Sequence, residues 1–244
     1  MTGTPAARLG VIGGTGLYAM DRIQGVEERW VDTPFGRPSD AYVLGELEGT
    51  PVVFLPRHGR EHRLLPSELN YRANIFGFKK LGVTHLVSVS AVGSMREAYE
   101  PGQVVVVDQF FDHTRHRPDT FFGNGLVAHV SLARPTCPGL SALALEALRR
   151  VGATCHAGGT YLCIEGPQFS TRAESLVYRS WGADVIGMTN LQEAKLAREA
   201  EMCFTCLALV TDWDCWKDDV EAVTVEGVLE VLGRNTVTAQ RTLR

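Results

Sequence analysis

A chain of 244 residues, 45% hydrophobic and 21% charged, has enough apolar side chains for a sizeable core, as one large α/β domain or two small ones. Its formal net charge of −4 gives no general attraction for nucleic acid or an anionic membrane, so any anionic ligand must be held by a local basic cluster. Met1 to Arg8 lacks a long apolar stretch and no run approaches the roughly 18 apolar residues of a membrane span, so a cytoplasmic protein is expected.

In chain order, Arg8 to Ile12 reads as a first strand ending in Gly13-Gly14-Thr15-Gly16. Gly14 to Ala19 fits G-x-G-x-x-A, the dinucleotide fingerprint, with Asp32 as a candidate ribose-binding acid. However, Tyr18 to Arg29 alternates acid and base around Gly25, unlike the apolar helix a dinucleotide fold packs on its sheet. A glycine turn with the Thr15 hydroxyl better suits a single phosphate, whose oxygens approach bare backbone N–H groups. The residues from Asp32 to Asp40, and again from Asp112 to Asn124, read as longer irregular loops.

Val52 to Leu55 reads as a strand leading into Arg57-His58-Gly59-Arg60-Glu61-His62-Arg63, where an arginine fork beside an imidazole forms a grip for an oxyanion. His58 and His62 have the spacing of metal ligands on a helix, but Gly59 opposes that helix and no third ligand is evident, so no metal is expected. A solvated basic loop is the plain alternative. Pro66 to Lys80 has helical spacing, and His85 to Val89 is a strand followed by the small residues Ser90-Ala91-Val92-Gly93-Ser94. Val104 to Val107 reads as a strand buried on both faces, and Leu140 to Val151 as a helix stopped by Gly152.

Gly159 to Ile164 and Ala183 to Gly187 read as strands, with Ser170 to Ser180 helical between them and Ser170 as its N-cap. Phe169, in the preceding glycine-proline turn, either staples that helix to the core or offers a platform for a planar ring. Cys203 to Val210 reads as a buried strand that delivers Thr211, Asp212 and Asp214 to its carboxyl end, where open α/β sheets bind ligands. Residues two apart on a strand share a face, so both acids could enter one pocket, where mutual repulsion drives one toward holding a proton. Capping a helix or pointing into water is the alternative for both. Val225 to Leu232 begins a terminal helical region.

The six cysteines, at positions 137, 155, 163, 203, 206 and 215, show no repeated CxxC pairing and are expected to be reduced. Cys203 and Cys206 are three apart on a strand and so face opposite sides, which leaves packing as their expected role. With no linker, repeat or low-complexity segment, the fold class expected is α/β: one domain over residues 1–244, its central mixed, largely parallel sheet flanked by helices.

Taken together and in order, Ile12-Gly13-Gly14-Thr15-Gly16-Leu17, Asp32-Thr33-Pro34-Phe35-Gly36, Arg57-His58-Gly59-Arg60, Asn70-Tyr71-Arg72-Ala73-Asn74, Glu165-Gly166-Pro167, Arg172-Ala173-Glu174, Gly187-Met188-Thr189 and Thr211 to Trp216 resemble the methylthioadenosine phosphorylase group of the purine nucleoside phosphorylase family. The resemblance runs through nearly the whole chain. It implies a phosphate site formed by Thr15, Arg57, His58, Ser90, the Ala91 backbone and Thr189. It places Met188 under a ribose, Phe169 and Ser170 beside a purine, and Asp212 and Asp214 against N7 and the 6-amino edge, with Asp212, Asp214 and His58 as the catalytic set.

Family members that prefer 6-oxopurines generally carry asparagine where this chain has Asp212, and an acid that accepts from an amino group favours adenine. Val225 and Val228 occupy the region where enzymes for ordinary nucleosides present a polar residue to the 5′-hydroxyl, so a methylthio group is implied, although an exposed helix would also explain them. His129 resembles the residue that a neighbouring subunit lends in the trimeric members, which implies a homotrimer. Family chains usually continue beyond the region of Leu243 with a helical segment that helps close the 5′ pocket. This sequence stops at Arg244, so either that closure is missing or further residues lie beyond those given.

The implied reaction is phosphorolysis of 5′-methylthioadenosine to adenine and 5-methylthioribose 1-phosphate, a pentosyl transfer of purine and methionine salvage with phosphate as co-substrate and no cofactor. Protonated Asp212 would donate to N7. The alternatives are a phosphorylase for methylthioinosine, inosine or guanosine, a protein binding NAD through Gly14 to Ala19, and a metal hydrolase built on His58 and His62.

Overall fold

Apolar residues alternate along the central strands, which feeds two separate cores on opposite faces of one sheet. The computed structural model describes residues 8–14, 17, 23–217 and 225–244, with the side chains of 225–230 and 232 outside that description. Its strands are β1 (Arg8–Gly13), β2 (Ile23–Arg29), β3 (Tyr42–Leu47), β4 (Thr50–Pro56), β5 (Val83–Ser94), β6 (Val104–Val107), β7 (Gln109–His113), β8 (Cys155–Ala157), β9 (Thr160–Ile164), β10 (Val185–Gly187) and β11 (Cys203–Asp212). The helices are α1 (Tyr71–Lys80), α2 (Pro138–Arg150), α3 (Arg172–Ser180), α4 (Asn190–Glu199) and α5 (Val225–Thr242).

The sheet runs β2-β3-β4-β1-β5-β10-β9-β7, and β11 joins β5 to β6, which in turn pairs with β8. Pairs β1/β4, β1/β5, β5/β11, β6/β8, β7/β9 and β9/β10 are parallel, while β2/β3, β3/β4, β5/β10 and β6/β11 are antiparallel. This is the mixed, largely parallel sheet expected. Helices α1 and α4 cover one face and α2 and α5 the other. With both faces covered, Val104 to Val107 is buried at every position, as a continuous β-branched run requires.

Several local expectations shift. The helix read from Pro66 divides into a 3-10 turn at Pro66–Glu68 and α1, because Asn70 caps α1 by accepting from the Ala73 N–H at 3.1 Å. Thr171, not Ser170, caps α3, in a reciprocal box with Glu174. Where a dinucleotide fold would place its first helix, residues 23–29 form the exposed edge strand β2, which removes the structural context of the Gly14 to Ala19 fingerprint.

The cysteine expectation needs correction. Cys137 and Cys203 form a disulfide with their Cα atoms 5.2 Å apart, because the residue before α2 docks on the start of β11 through a 2.7 Å bond from Cys137 N–H to Phe204 C=O. Spacing in sequence gave no sign of this contact, which spans 66 residues. Cys206 is a free, buried thiol on the other side of the strand from Cys203.

Candidate active site

Because β1, β4, β5 and β11 are mutually parallel along the sheet, their carboxyl ends share one edge, and the loops leaving them converge there. Strand β10 runs antiparallel to β5, pairing Val185 with Ser94 and Ile186 with Gly93. Continued along that register, the chain carries Met188 and Thr189 back toward Ala91 and Ser90. The candidate residues on four strands thus reach one cleft without being neighbours in sequence.

Arg57 leaves β4 with its N–H bonded to Gly13 C=O at 2.9 Å and its guanidinium only 3% exposed. Its Nε donates to Glu193 Oε1 at 2.5 Å and its Nη2 to Glu193 Oε2 at 3.1 Å, to Ser88 Oγ at 2.7 Å and to Ile12 C=O at 3.3 Å. Nη1 donates to Val89 C=O at 2.9 Å. Of five N–H groups, one on Nη1 is left for a ligand among the described residues. Burial weakens the Arg57 cation, but the adjacent Glu193 carboxylate outweighs burial and raises its pKa. Ser88 Oγ also donates to Glu193 Oε2 at 2.6 Å, and Asn190 Nδ2 donates to Ser88 Oγ.

Thr189 stands at the N-terminus of α4 with a buried hydroxyl that has no hydrogen-bond partner among the described residues. A helix N-terminus beside an unpaired hydroxyl suits an anion. Ser90 is buried on β5, its hydroxyl bonded only weakly to the neighbouring Ala91 carbonyl at 3.3 Å. His58 is half-buried and stacks on His62 at 4.3 Å. Its Nδ1 lies 2.8 Å from Leu64 C=O, so Nδ1 carries the proton and Nε2 has the lone pair. Burial, aided by the Arg57 charge, lowers its pKa to about 4. A neutral His58 therefore presents Nε2 as an acceptor, suited to an O–H group, rather than as a donor.

At the other end of the cleft Asp212 lies beside Gly93, where a Cβ would stand 2.9 Å from Asp212 Oδ1 and 3.3 Å from the Asp214 Cβ. A side chain there would displace the Asp212 carboxylate and crowd Asp214. Strand alternation does not bring them together, as Asp214 lies beyond β11 at φ 52°. A turn does so instead: Asp214 N–H donates to Asp212 Oδ1 at 2.8 Å, and Thr211 Oγ1 donates to Asp212 Oδ2 at 2.8 Å. The Ser175 hydroxyl of α3 meets Asp214 Oδ2. Burial and the nearby Asp212 charge raise the Asp214 pKa.

The Gly166–Pro167 turn, whose peptide bond is cis, borders this end. Gly166 has φ 67°, and a Cβ on it would fall 2.5 Å from Met188 Sδ, so the turn rests directly on that methionine. Phe169 is exposed, with its ring accessible, while Ser170 has a buried hydroxyl without a partner among the described residues. Cys215 Sγ donates to Ser170 C=O at 3.2 Å, tying this turn to the acid pair.

Arg57, His58, Ser90, Ala91, Thr189, Met188, Ser170, Asp212 and Asp214 are thus placed around one edge of the sheet. Thr15 lies outside the described residues, as do the side chains of Val225 and Val228 on α5. His129 is exposed on the segment 123–131. Sequence reasoning assigned nothing to Glu193, Ser88, Asn190, Ser175 or Arg117. The available signal for Glu193 was an acid in the first turn of a helix, which reads equally well as a dipole complement.

The Phosphorylase superfamily profile matches residues 8–244, and the chain belongs to that family. Within it, the chain is 59% identical over 244 residues to an S-methyl-5′-thioadenosine phosphorylase of Gloeobacter violaceus, an alignment covering 98% of this chain and 82% of that one. It is 57% identical to the enzyme of that name from Koribacter versatilis, over 98% of this chain and 82% of the other. Among solved structures, a methylthioadenosine phosphorylase from an antarctic soil metagenomic library superposes with a TM-score of 0.93 at 51% identity, covering 98% of this chain and 85% of that one. A Schistosoma mansoni methylthioadenosine phosphorylase in complex with adenine also scores 0.93, at 38% identity, over 97% and 89% of the two chains.

Glu193→Ala leaves the buried Arg57 cation unpaired and is expected to cost about 3–5 kcal/mol in urea denaturation; a loss below about 1 kcal/mol would contradict the pairing. His58, with its pKa lowered from 6.5 to about 4, binds its proton less readily folded than unfolded. Ligand-free protein is therefore expected to lose stability as pH falls from about 6.5 toward about 4, and His58→Asn to lose less over that window.

Proposed function

We propose that this chain cleaves 5′-methylthioadenosine with inorganic phosphate, releasing adenine and 5-methylthioribose 1-phosphate. The observation that carries this reading is the pairing, along β5, of an anion cradle at Arg57, Ser90 and Thr189 with a two-carboxylate end at Asp212 and Asp214. Ser90 and Gly93 are three residues apart on that strand, roughly 10 Å at about 3.3 Å per residue, which is the scale separating a phosphate from the far edge of a purine.

Phosphate oxygen attacks C1′ of the ribose as the C1′–N9 bond breaks, and the bonding electrons leave with the purine. Positive charge grows on the sugar and negative charge on the base. Phosphate, held by Thr15, Arg57, His58, Ser90, the Ala91 backbone and Thr189, stabilises the sugar side. On the base side the acid pair supplies a proton to N7. Asp212 addresses N7 and the 6-amino group, and the raised pKa of Asp214 makes the pair, rather than Asp212 alone, the proton reservoir.

Met188 forms the ribose floor, Phe169 and Ser170 border the base, and Val225 and Val228 line the 5′ group. The relatives named above support methylthioadenosine over 6-oxopurine nucleosides, as does Asp212, whose oxygen would face the 6-oxo oxygen.

The same reading takes residues 1–244 as one nucleoside phosphorylase domain that works as a cytoplasmic homotrimer without a cofactor. Leu126, Val127 and Val130 are exposed around His129, an apolar face suited to a second copy that would bring His129 to a neighbour's pocket. No helix among the described residues is long and apolar enough to cross a membrane.

Incubation of the protein with methylthioadenosine is expected to liberate free adenine only when phosphate is added. Equal release without phosphate would make it a hydrolase. Asp212→Asn is expected to lower kcat/KM for methylthioadenosine by about 10²-fold or more and to move preference toward 6-oxopurine nucleosides. Unchanged selectivity in paired assays would remove Asp212 from base recognition.

A further inference from the structure

Strands β9 and β10 pair in parallel only as far as Cys163 and Gly187. Beyond that rung they part, β9 into the Glu165-Gly166-Pro167 turn and β10 into Met188 and Thr189, and their carbonyls lose each other as ladder neighbours. The gap is filled by a side chain from elsewhere. Arg117, in the segment after β7, enters with its side chain only 3% exposed. Its Nη2 donates to Glu165 C=O at 2.5 Å and to Ile164 C=O at 3.4 Å. Its Nη1 donates to Met188 C=O at 2.5 Å, to the Tyr71 hydroxyl Oη at 3.0 Å and to Gln192 Oε1 at 3.3 Å, while Nε meets Glu165 Oε1 at 3.1 Å.

All five N–H groups are engaged with protein, so Arg117 has none left for phosphate or any other anion. Its planar fork instead acts as an extra rung between two strands that have diverged. The two carbonyls it joins belong to the segments that carry Gly166 to Ser170 on one side and Met188 on the other, and these already touch at the Gly166–Met188 contact.

We propose that Arg117 is a positioning residue that sets the spacing between the base-bordering turn and the methionine floor beneath the ribose, and hence the fit of the nucleoside more than that of phosphate. The proposal rests on the phosphorylase reading given above. The side chain acts through Glu165, Met188 and Tyr71. A lysine retains the positive charge but has no fork with which to reach both carbonyls at once. The segment bearing Arg117 is itself pinned: Arg115 N–H donates to Glu165 Oε2 at 2.5 Å, Lys195 Nζ to Asp119 at 2.5 Å, and the Thr120 hydroxyl to Glu199 at 2.7 Å.

The test compares wild type, Arg117→Lys and the milder Glu165→Gln, which keeps the arginine and weakens one of its partners. Initial rates with methylthioadenosine and phosphate varied independently give both KM values and kcat, and hydrogen exchange reports the amides of residues 165–171 without reference to turnover. For Arg117→Lys, KM for methylthioadenosine is expected to rise about tenfold or more while KM for phosphate stays within about twofold, with faster exchange over residues 165–171. Glu165→Gln is expected to move both readouts in the same direction by a smaller factor. The proposal is overturned if the two KM values rise together, or if neither moves, or if exchange across 165–171 matches wild type in both variants. Should Arg117→Lys fail to fold, Glu165→Gln alone decides between these outcomes. Wild type that yields no adenine with phosphate would instead refute the phosphorylase reading, leaving the exchange comparison to judge the anchor.

Discussion

The ion pair of Arg57 with Glu193 is the constraint on which the cleft is organised. Two opposite charges are almost wholly removed from water, and they hold together ends of the chain that are far apart: β1 through Ile12, β5 through Ser88 and Val89, and the first turn of α4 through Glu193 itself. Such a pair adds little net stability over an apolar substitute, but neither partner tolerates loss of the other. What it contributes is geometry. Most of the guanidinium is committed to protein acceptors, which fixes its orientation and leaves one N–H on Nη1 uncommitted among the described residues. The notion of Arg57 as a freely offered fork for phosphate therefore gives way to that of a fixed single donor. His58 changes role in the same manner, since its bond to Leu64 turns its free nitrogen into an acceptor.

A second constraint is the direction of the strands. Four parallel strands bring Gly13, Arg57, the Ser90 region and Asp212 to one edge, while β10 runs the opposite way beside the last residues of β5. That reversal lets α4 begin inside the cleft, so the N-terminus of the helix and the Thr189 hydroxyl face the same space as the β5 residues. The acid pair uses a different device: a turn with Asp214 in the left-handed region packed against Gly93. Asp tolerates that conformation better than most residues, and the cost of holding it is the kind of local strain that clusters at functional sites.

Much of the architecture was legible from local chemistry. The β-branched run at Val104 to Val107, the apolar strand ending at Asp212, and the helix stop at Gly152 each announce themselves through side-chain period or turn residue. The edge strand β2 did not, because it is polar and exposed and has no alternation to read. Helix α4 was missed for the opposite reason: Asn190, Gln192 and Glu193 are polar yet fully buried, so its inward face does not look apolar. The Cys137–Cys203 bridge was unreadable because it depends on where α2 starts relative to β11 rather than on spacing.

The identities of the chemical groups, an arginine and histidine after one strand, hydroxyls after others and two acids at the last, are properties of the amino-acid order, and so is the parallel-sheet logic that sends them all to one edge. Which nitrogen of His58 is free, how many donors Arg57 retains, which acid of the pair is pushed toward its protonated form, and which arginine braces the cleft instead of lining it are settled only in three dimensions. His58 owes its free nitrogen to Leu64, six residues on, and the others depend largely on burial and on partners about 30 to 140 residues away, which leave no periodic trace in the chain.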